Sequence, residues 1–183
     1  IRELSTRAWI DNSFTWVNIR TRTYYDDLFE VVEANRGHLV ASTGCLGGFA
    51  PKLILQEYKE NPSQPDYHKV RSWLSRMDQC FGHGNFFLEL QPSIQEEQKI
   101  VNQAYIELSK ELDIPYVITT DAHYLKKEDR PIHEAFLKSN DDSGKEREVG
   151  DFYASTYVMS EEEIHSYMDE YLGAKVVQQG IDN

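Results

Sequence analysis

Three short apolar runs, each fed by a stretch with helical periodicity, constrain this chain more than any other feature. They occupy residues 38–42, 86–90 and 116–119. Ahead of the first, Leu28, Val31 and Val32 fall at i, i+3 and i+4 of a predicted helix over 24–35. Thr23 is its expected N-cap and Gly37 its stop. Between the first two runs come predicted helices over 51–59 and 66–81, the second with Val70, Trp73, Leu74 and Met77 inward. Between the last two, Ile100, Ala104, Leu108 and Leu112 repeat every four residues along a helix opened by a Ser93/Glu96 capping box. A further helix from about Glu128 is expected to turn Ile132, Ala135 and Phe136 inward. Strand alternating with helix predicts an α/β fold with mostly parallel strands and right-handed crossovers.

In such folds the chemistry gathers beyond the carboxyl ends of the strands. Two of these ends carry ligand-type side chains. Cys45 follows the first run, and Asp121 and His123 follow the third. Strand alternation would put Asp121 and His123 on one face. Carboxylate with imidazole suits Zn²⁺, Mn²⁺ or Fe²⁺. The same residues also suit a helix start, with Thr119, Thr120 and Asp121 capping and His123 solvated. Cys45, among glycines, fits either a thiolate ligand or a small buried residue.

The remaining notable residues take plainer readings. Glu89, in an otherwise apolar strand, calls for a neighbouring cation. Cys80 reads as core, His83 as a solvated turn, and His133 as a helix-surface histidine, with support of the strand-end ligands as its alternative. Trp9, Trp16 and Trp73 read as core or interface. Lys126, Lys127 and Arg130 read as a solvated face, with contact to a phosphate as the alternative. Residues 141–150 read as a charged surface loop. Ser160 and Glu163 form a second capping box, opening a helix over 164–171.

Composition narrows the function classes. The 183 residues carry a net charge of −12, a poor footprint for a free-standing nucleic-acid binder. No apolar run approaches the ~20 residues of a membrane helix, and the two cysteines are too few for a disulfide framework. A cytoplasmic location without membrane contact is expected. Both ends run directly into helical pattern, so the chain reads as a piece of something longer.

Several segments together resemble one family. Ser42-Thr43-Gly44-Cys45-Leu46-Gly47-Gly48 is similar to a Ser-Gly-Cys-Leu-x-Gly segment, and residues 85–90 to an Asn-Phe-Tyr-Leu-Glu-Leu strand. Residues 117–125 resemble Val-Ala-Thr-Asn-Asp-x-His-Tyr-Leu, and the spacing from Glu128 and Asp129 to His133 also agrees. Phe152 and Tyr153, followed by Ser160 to Glu163, resemble Phe-Tyr-Leu-x-Ser-x-Glu-Glu-Met. These are segments of the DNA polymerase III alpha subunit, the bacterial C-family replicative polymerase, in its PHP (polymerase and histidinol phosphatase) domain.

The resemblance implies part of a distorted (β/α)7 PHP-type barrel over residues 1–150, without its N-terminal strands. Residues 151–183 would be a connecting helical segment leading toward the polymerase palm. It implies Cys45, Asp121 and His123 as ligands of a divalent metal (Zn, Mn or Mg). The parent would be a DNA-directed DNA polymerase using DNA and dNTPs, with a proofreading exonuclease subunit and a sliding clamp as partners. Its PHP domain would be a metal-dependent 3′–5′ exonuclease or a degenerate scaffold. The chain departs from the family at the start: of its six histidines, none forms the family's His-x-His pair. The metal site is therefore expected to be incomplete here, and the fragment alone inactive. Two alternatives stand beside this reading: a stand-alone phosphoesterase of histidinol-phosphatase type, and a non-catalytic interaction module.

Overall fold

Residues 1–15, 19–139 and 150–183 are described by the computed structural model. The chain begins with α1 (Arg2–Ile10) and an antiparallel pair, β1 (Phe14–Thr15) with β2 (Ile19–Arg20). It continues through α2 (Tyr25–Ala34), β3 (Ala41–Ser42), α3 (Phe49–Glu60), α4 (His68–Phe81), β4 (Phe86–Leu90), α5 (Glu96–Leu112) and β5 (Tyr116–Ile118). Then come α6 (Arg130–Ser139), α7 (Glu161–Leu172) and α8 (Ala174–Asp182), with 3-10 turns at Lys127–Asp129 and Asp151–Ser155. The architecture is mixed α/β, mostly helical around a three-stranded sheet of order β3-β4-β5. Both pairings are parallel, as the alternation predicts.

The central strand sorts its side chains by period 2. Phe86, Leu88 and Leu90 are fully buried on one face, while Phe87 and Glu89 stand half-buried on the other. Phe86 meets Trp73 and Phe81 of α4, with ring centroids 6.1 Å apart in each case. Val101, Ala104, Tyr105 and Leu108 of α5 join the same core. So does α8: a Cβ on Gly180 would lie 2.8 Å from Ile118 Cγ1, so the helix reaches β5 through its glycine. Tyr116 donates to the Val176 carbonyl at 3.0 Å, and Asn183 donates to the Tyr116 carbonyl at 2.8 Å. The opposite face is half-open. Val40, Ala41, Ser42, Gly84, Phe87, Val117 and Asn183 line a hollow of about 440 Å³ there. Parallel sheets are almost always covered on both faces.

Several boundaries differ from the sequence expectations. The first run pairs only over Ala41–Ser42; His38 is held in a turn by Asn35, and Val40 is exposed. The ladder starts late because its partner on β4 begins beside Asn85, whose carbonyl takes the Ala41 amide. α2 starts after Tyr24 with no side-chain cap, so Thr23 does not cap it. α4 starts at His68 rather than 66, because Tyr67 takes a left-handed conformation and Glu57 accepts the Lys69 amide at 3.1 Å. The Ser93/Glu96 capping box does not form. Ser93 instead accepts from the Gln95 amide, and α5 begins at Glu96.

The apolar stripe of α6 faces outward, which overturns the inward reading. Ile132, Ala135 and Phe136 are all exposed, because the helix packs through His133 against Tyr124 and Tyr153. Trp9 is exposed rather than core, and Trp73 is half-buried, donating to Tyr25. Trp16 and most of the expected charged loop, residues 141–149, lie outside the described residues. The second capping box is present: Ser160 accepts from the Glu163 amide, and Glu163 accepts from the Ser160 amide.

Asn102 is the buried polar joint between β4, α5 and α7. Its carbonyl accepts from the Gln91 amide (3.3 Å) and Gln98 (2.9 Å); its amide donates to the Gln91 carbonyl and the Tyr171 hydroxyl, both at 2.8 Å. Asn102→Ala orphans buried groups on Gln91 and is expected to cost about 3 kcal/mol in urea unfolding. A loss below about 0.5 kcal/mol would show that water replaces the amide.

His165 latches α7 to α8. Its Nδ1 faces Asp169 Oδ1 at 2.8 Å and its Nε2 faces Gln178 Oε1 at 3.1 Å. The Gln178 amide nitrogen donates to Asp182, which fixes its oxygen toward the imidazole. Two acceptors are satisfied only by the doubly protonated ring. The bond to Asp169, then that to Gln178, raise the His165 pKa above its ordinary value. A raised pKa stabilises the fold fully below the unfolded value of about 6.5, and the contribution fades as pH rises through the folded value. His165→Gln should therefore flatten the thermal midpoint against pH above the unfolded value of about 6.5; an unchanged slope would refute the latch.

Candidate functional site

The first wall of the site is the turn after β3. Thr43 closes the ladder, its amide donating to the Phe87 carbonyl at 3.0 Å. Gly44 then takes a positive φ of 72°, which glycine adopts without steric cost. Gly48 folds back, donating to the Cys45 carbonyl at 2.7 Å. A Cβ at Gly48 would come within 2.9 Å of the Thr43 carbonyl oxygen and 3.0 Å of that of Cys45, so the turn needs glycine there. Cys45 is left half-buried at the tip. Burial pushes the Cys80 thiol pKa up, which disfavours its thiolate.

The second wall follows β5. Thr119 extends the ladder to the Leu90 carbonyl at 3.0 Å, but strand geometry stops there. Asp121 adopts φ +45°, a left-handed conformation that Asp tolerates better than most residues. Strand alternation therefore does not set the faces of Asp121 and His123; the loop does. Among the described residues, Asp121 Oδ2 is buried without a hydrogen-bond partner. The Asp121 carbonyl lies 2.5 Å from His123 Nδ1. A carbonyl only accepts, so Nδ1 carries the proton in the neutral ring, and Nε2 keeps the lone pair a ligand needs.

The third wall comes from far along the chain. The His123 amide donates to the Thr156 carbonyl at 2.8 Å, and Tyr124 pairs with Tyr157 as a parallel bridge. The Tyr124 hydroxyl donates to the Tyr153 carbonyl. These bonds seat Tyr153 and Phe152 against His123, with ring centroids 5.4 and 6.3 Å away. His133 of α6 joins them, 5.7 Å from His123 and 4.9 Å from Tyr153. Its Nδ1 is buried and unpaired, and desolvation followed by His123 lowers its pKa. The helix-surface reading of His133 is thus overturned. Ile132 and Phe136, four apart, pointed the helix the wrong way round in sequence.

Cys45, Leu46, Gly47, Asp121, His123, Phe152 and Tyr153 line one cleft of about 530 Å³. All three residues picked from sequence meet there. Among the described residues, however, no three His, Cys, Asp or Glu side chains stand close enough together to hold a metal ion. The unpaired Asp121 oxygen and the free His123 Nε2 suit a cation. Among the described residues, the donors present do not close a metal site.

Among the described residues, Glu89 pairs with no cation. Its partners are Ser42, which donates to Oε2, and Thr119 (2.6 Å) and Gln91 (2.8 Å), which donate to Oε1. Arg130 is engaged by Glu134 at 2.8 Å and Asp151 at 3.6 Å, while Lys126 and Lys127 are exposed, as expected of a solvated face. His83 is exposed beside Asp78 and Asp113, also as expected.

No protein-family model matches the chain. Individual proteins do. The chain is 36% identical along its whole length to a probable DNA polymerase, YorL, of Bacillus subtilis, and equally to a DNA-directed DNA polymerase of Bacillus phage SPbeta. It is 30% identical over 79% of its length to the DNA polymerase III subunit alpha of Borreliella burgdorferi. The chain spans 14% of the length of the first two relatives and 12% of the third. On these matches the chain belongs to the DNA polymerase III alpha-like family, as one short stretch of it.

Proposed function

We propose that this chain is the carboxyl-terminal part of the PHP domain of a DNA polymerase III alpha-type replicative polymerase. The observation that carries the reading is the meeting of Cys45, Asp121 and His123 in one cleft past the ends of parallel strands. The half-open sheet face, with its hollow of about 440 Å³, is what the inside of an interrupted barrel would present. The parent would extend DNA primers with dNTPs through a palm outside this chain. With a net charge of −12, DNA contact falls to the rest of the parent. A proofreading exonuclease subunit and a sliding clamp are its proposed partners.

Cys45 as thiolate, Asp121 and His123 would hold one side of a divalent ion, with further ligands from outside the chain. When bound, the ion supplies Lewis acidity and a hydroxide for phosphodiester hydrolysis. The chain's own residues orient and shelter. The Asp121 carbonyl fixes the His123 tautomer, and the Phe152 and Tyr153 rings line the cleft beside it. A second reading, a degenerate scaffold that binds a proofreading subunit, is favoured by the lack of a closed ligand set among the described residues.

The test uses the full-length parent. Wild type should extend a primed template with dNTPs; failure to do so would refute the polymerase assignment. Its zinc and manganese content after dialysis, and its shortening of a labelled single-stranded primer, separate the two PHP readings. In the metal reading, Asp121→Asn and His123→Ala lower ion affinity by more than about 100-fold, beyond the usual loss from removing an outer partner. Equal ion content in wild type and variants would leave the scaffold reading.

A further inference from the structure

We infer that Glu89 is the positioning residue of the cleft, tying the strand end that carries Cys45 to the one that carries Asp121. The inference rests on the reading of Cys45, Asp121 and His123 as one side of a site. Glu89 lies on the half-open face of β4, opposite the packed helices. Ser42 stands three residues before Cys45, and Thr119 two before Asp121. One carboxylate oxygen takes the Ser42 hydroxyl; the other takes the Thr119 hydroxyl at 2.6 Å and the Gln91 amide at 2.8 Å. The Glu89 amide donates to Thr43 Oγ1 at 2.9 Å, gripping the Cys45 turn a second time. A single side chain thus spans all three strands at the point where their ends diverge into the two loops.

The chemistry suits this task better than packing does. Val or Thr would fit the half-buried position on β4 without desolvating a charge. A carboxylate offers about four acceptor sites on two oxygens, enough to hold donors from both neighbouring strands at once. Its charge strengthens each of those bonds. It also joins the Gln91–Asn102 network, which anchors the node to α5 and α7. Glu89 touches none of the cleft's lining atoms and acts through the loops it holds.

Hydrogen exchange read by mass spectrometry on the full-length parent tests this without needing a metal. Glu89→Leu should speed exchange across residues 43–48 and 119–125 together, by about tenfold or more, the loss expected for hydrogen bonds to a charged group. Protection in α4 and α5 should persist. Glu89→Gln should return both loops to near wild type, because Ser and Thr hydroxyls turn to accept as well as donate. Thr119→Val, which keeps strand shape, should loosen 119–125 even where Glu89→Leu does not fold. With cobalt bound, the Cys45 thiolate-to-metal absorption should weaken in Glu89→Leu and recover in Glu89→Gln. No cobalt–thiolate band in wild type, with both loops still loosening together, would sink the metal reading and uphold the positioning role. Unchanged loops in Glu89→Leu, or uniform loss of protection through the helices, would overturn it.

Discussion

Phe86, Leu88 and Leu90 leave one side of β4 and are fully buried, while Phe87 and Glu89 leave the other and are not. That alternation decides where everything else goes. Burying each large apolar side chain is worth about 1.5–3 kcal/mol, so the three together fix the register against any slip that would turn Glu89 inward. The helices α4, α5 and α8 follow onto the apolar side. The polar side is left to organise the strand ends. A one-residue shift of β4 would bury the carboxylate among those helices and release both the Ser42 and Thr119 links.

The elements with strong local signals were legible in sequence. Residues 86–90 are an apolar run set between Asn85 and the Gln91-Pro92 break, and the strand matches residue for residue. Ser160 and Glu163 are three apart at a helix start, and the box forms. Ser93 and Glu96 have the same spacing and fail. Gln91, just upstream, is pinned front and back by Asn102, so the chain leaving β4 has no freedom to begin a helix at Ser93. A contact eleven residues away overrides the local pattern. α6 fails in the same manner: its stripe of Ile132 and Phe136 is real, but the rings of Tyr124 and Tyr153 draw His133 inward instead.

The candidate site shows the same division. Cys45, Asp121 and His123 stood out because each follows a strand, and all three line the cleft. Phe152 and Tyr153 entered only through a motif resemblance, because nothing local tells that residues 150–157 return to pair beside Tyr124. Glu89 drew attention as a charge in an apolar strand, but the remedy expected was wrong. Hydroxyls and an amide satisfy the carboxylate. Ser and Thr carry little signal in sequence, since they suit strands, turns and surfaces alike.

The loop after β5 gathers several costs within thirteen residues. Asp121 sits at positive φ, where a non-glycine residue gives up of order 1 kcal/mol or more. Its buried Oδ2 has no donor, and the buried Nδ1 of His133 has none either. Each unpaired buried polar atom costs about 1–3 kcal/mol. The surroundings nevertheless hold this arrangement in place: the ladder bond at Thr119, the Thr156 carbonyl on the His123 amide, and the Asp121 carbonyl on the His123 ring. A loop selected only for stability would relax Asp121 into solvent and turn His133 toward a partner. Strain concentrated at one point, and over-determined by its neighbours, is the physical mark of a loop kept for what it presents. What it presents is the pair Asp121 and His123, both lining the cleft that Cys45 shares.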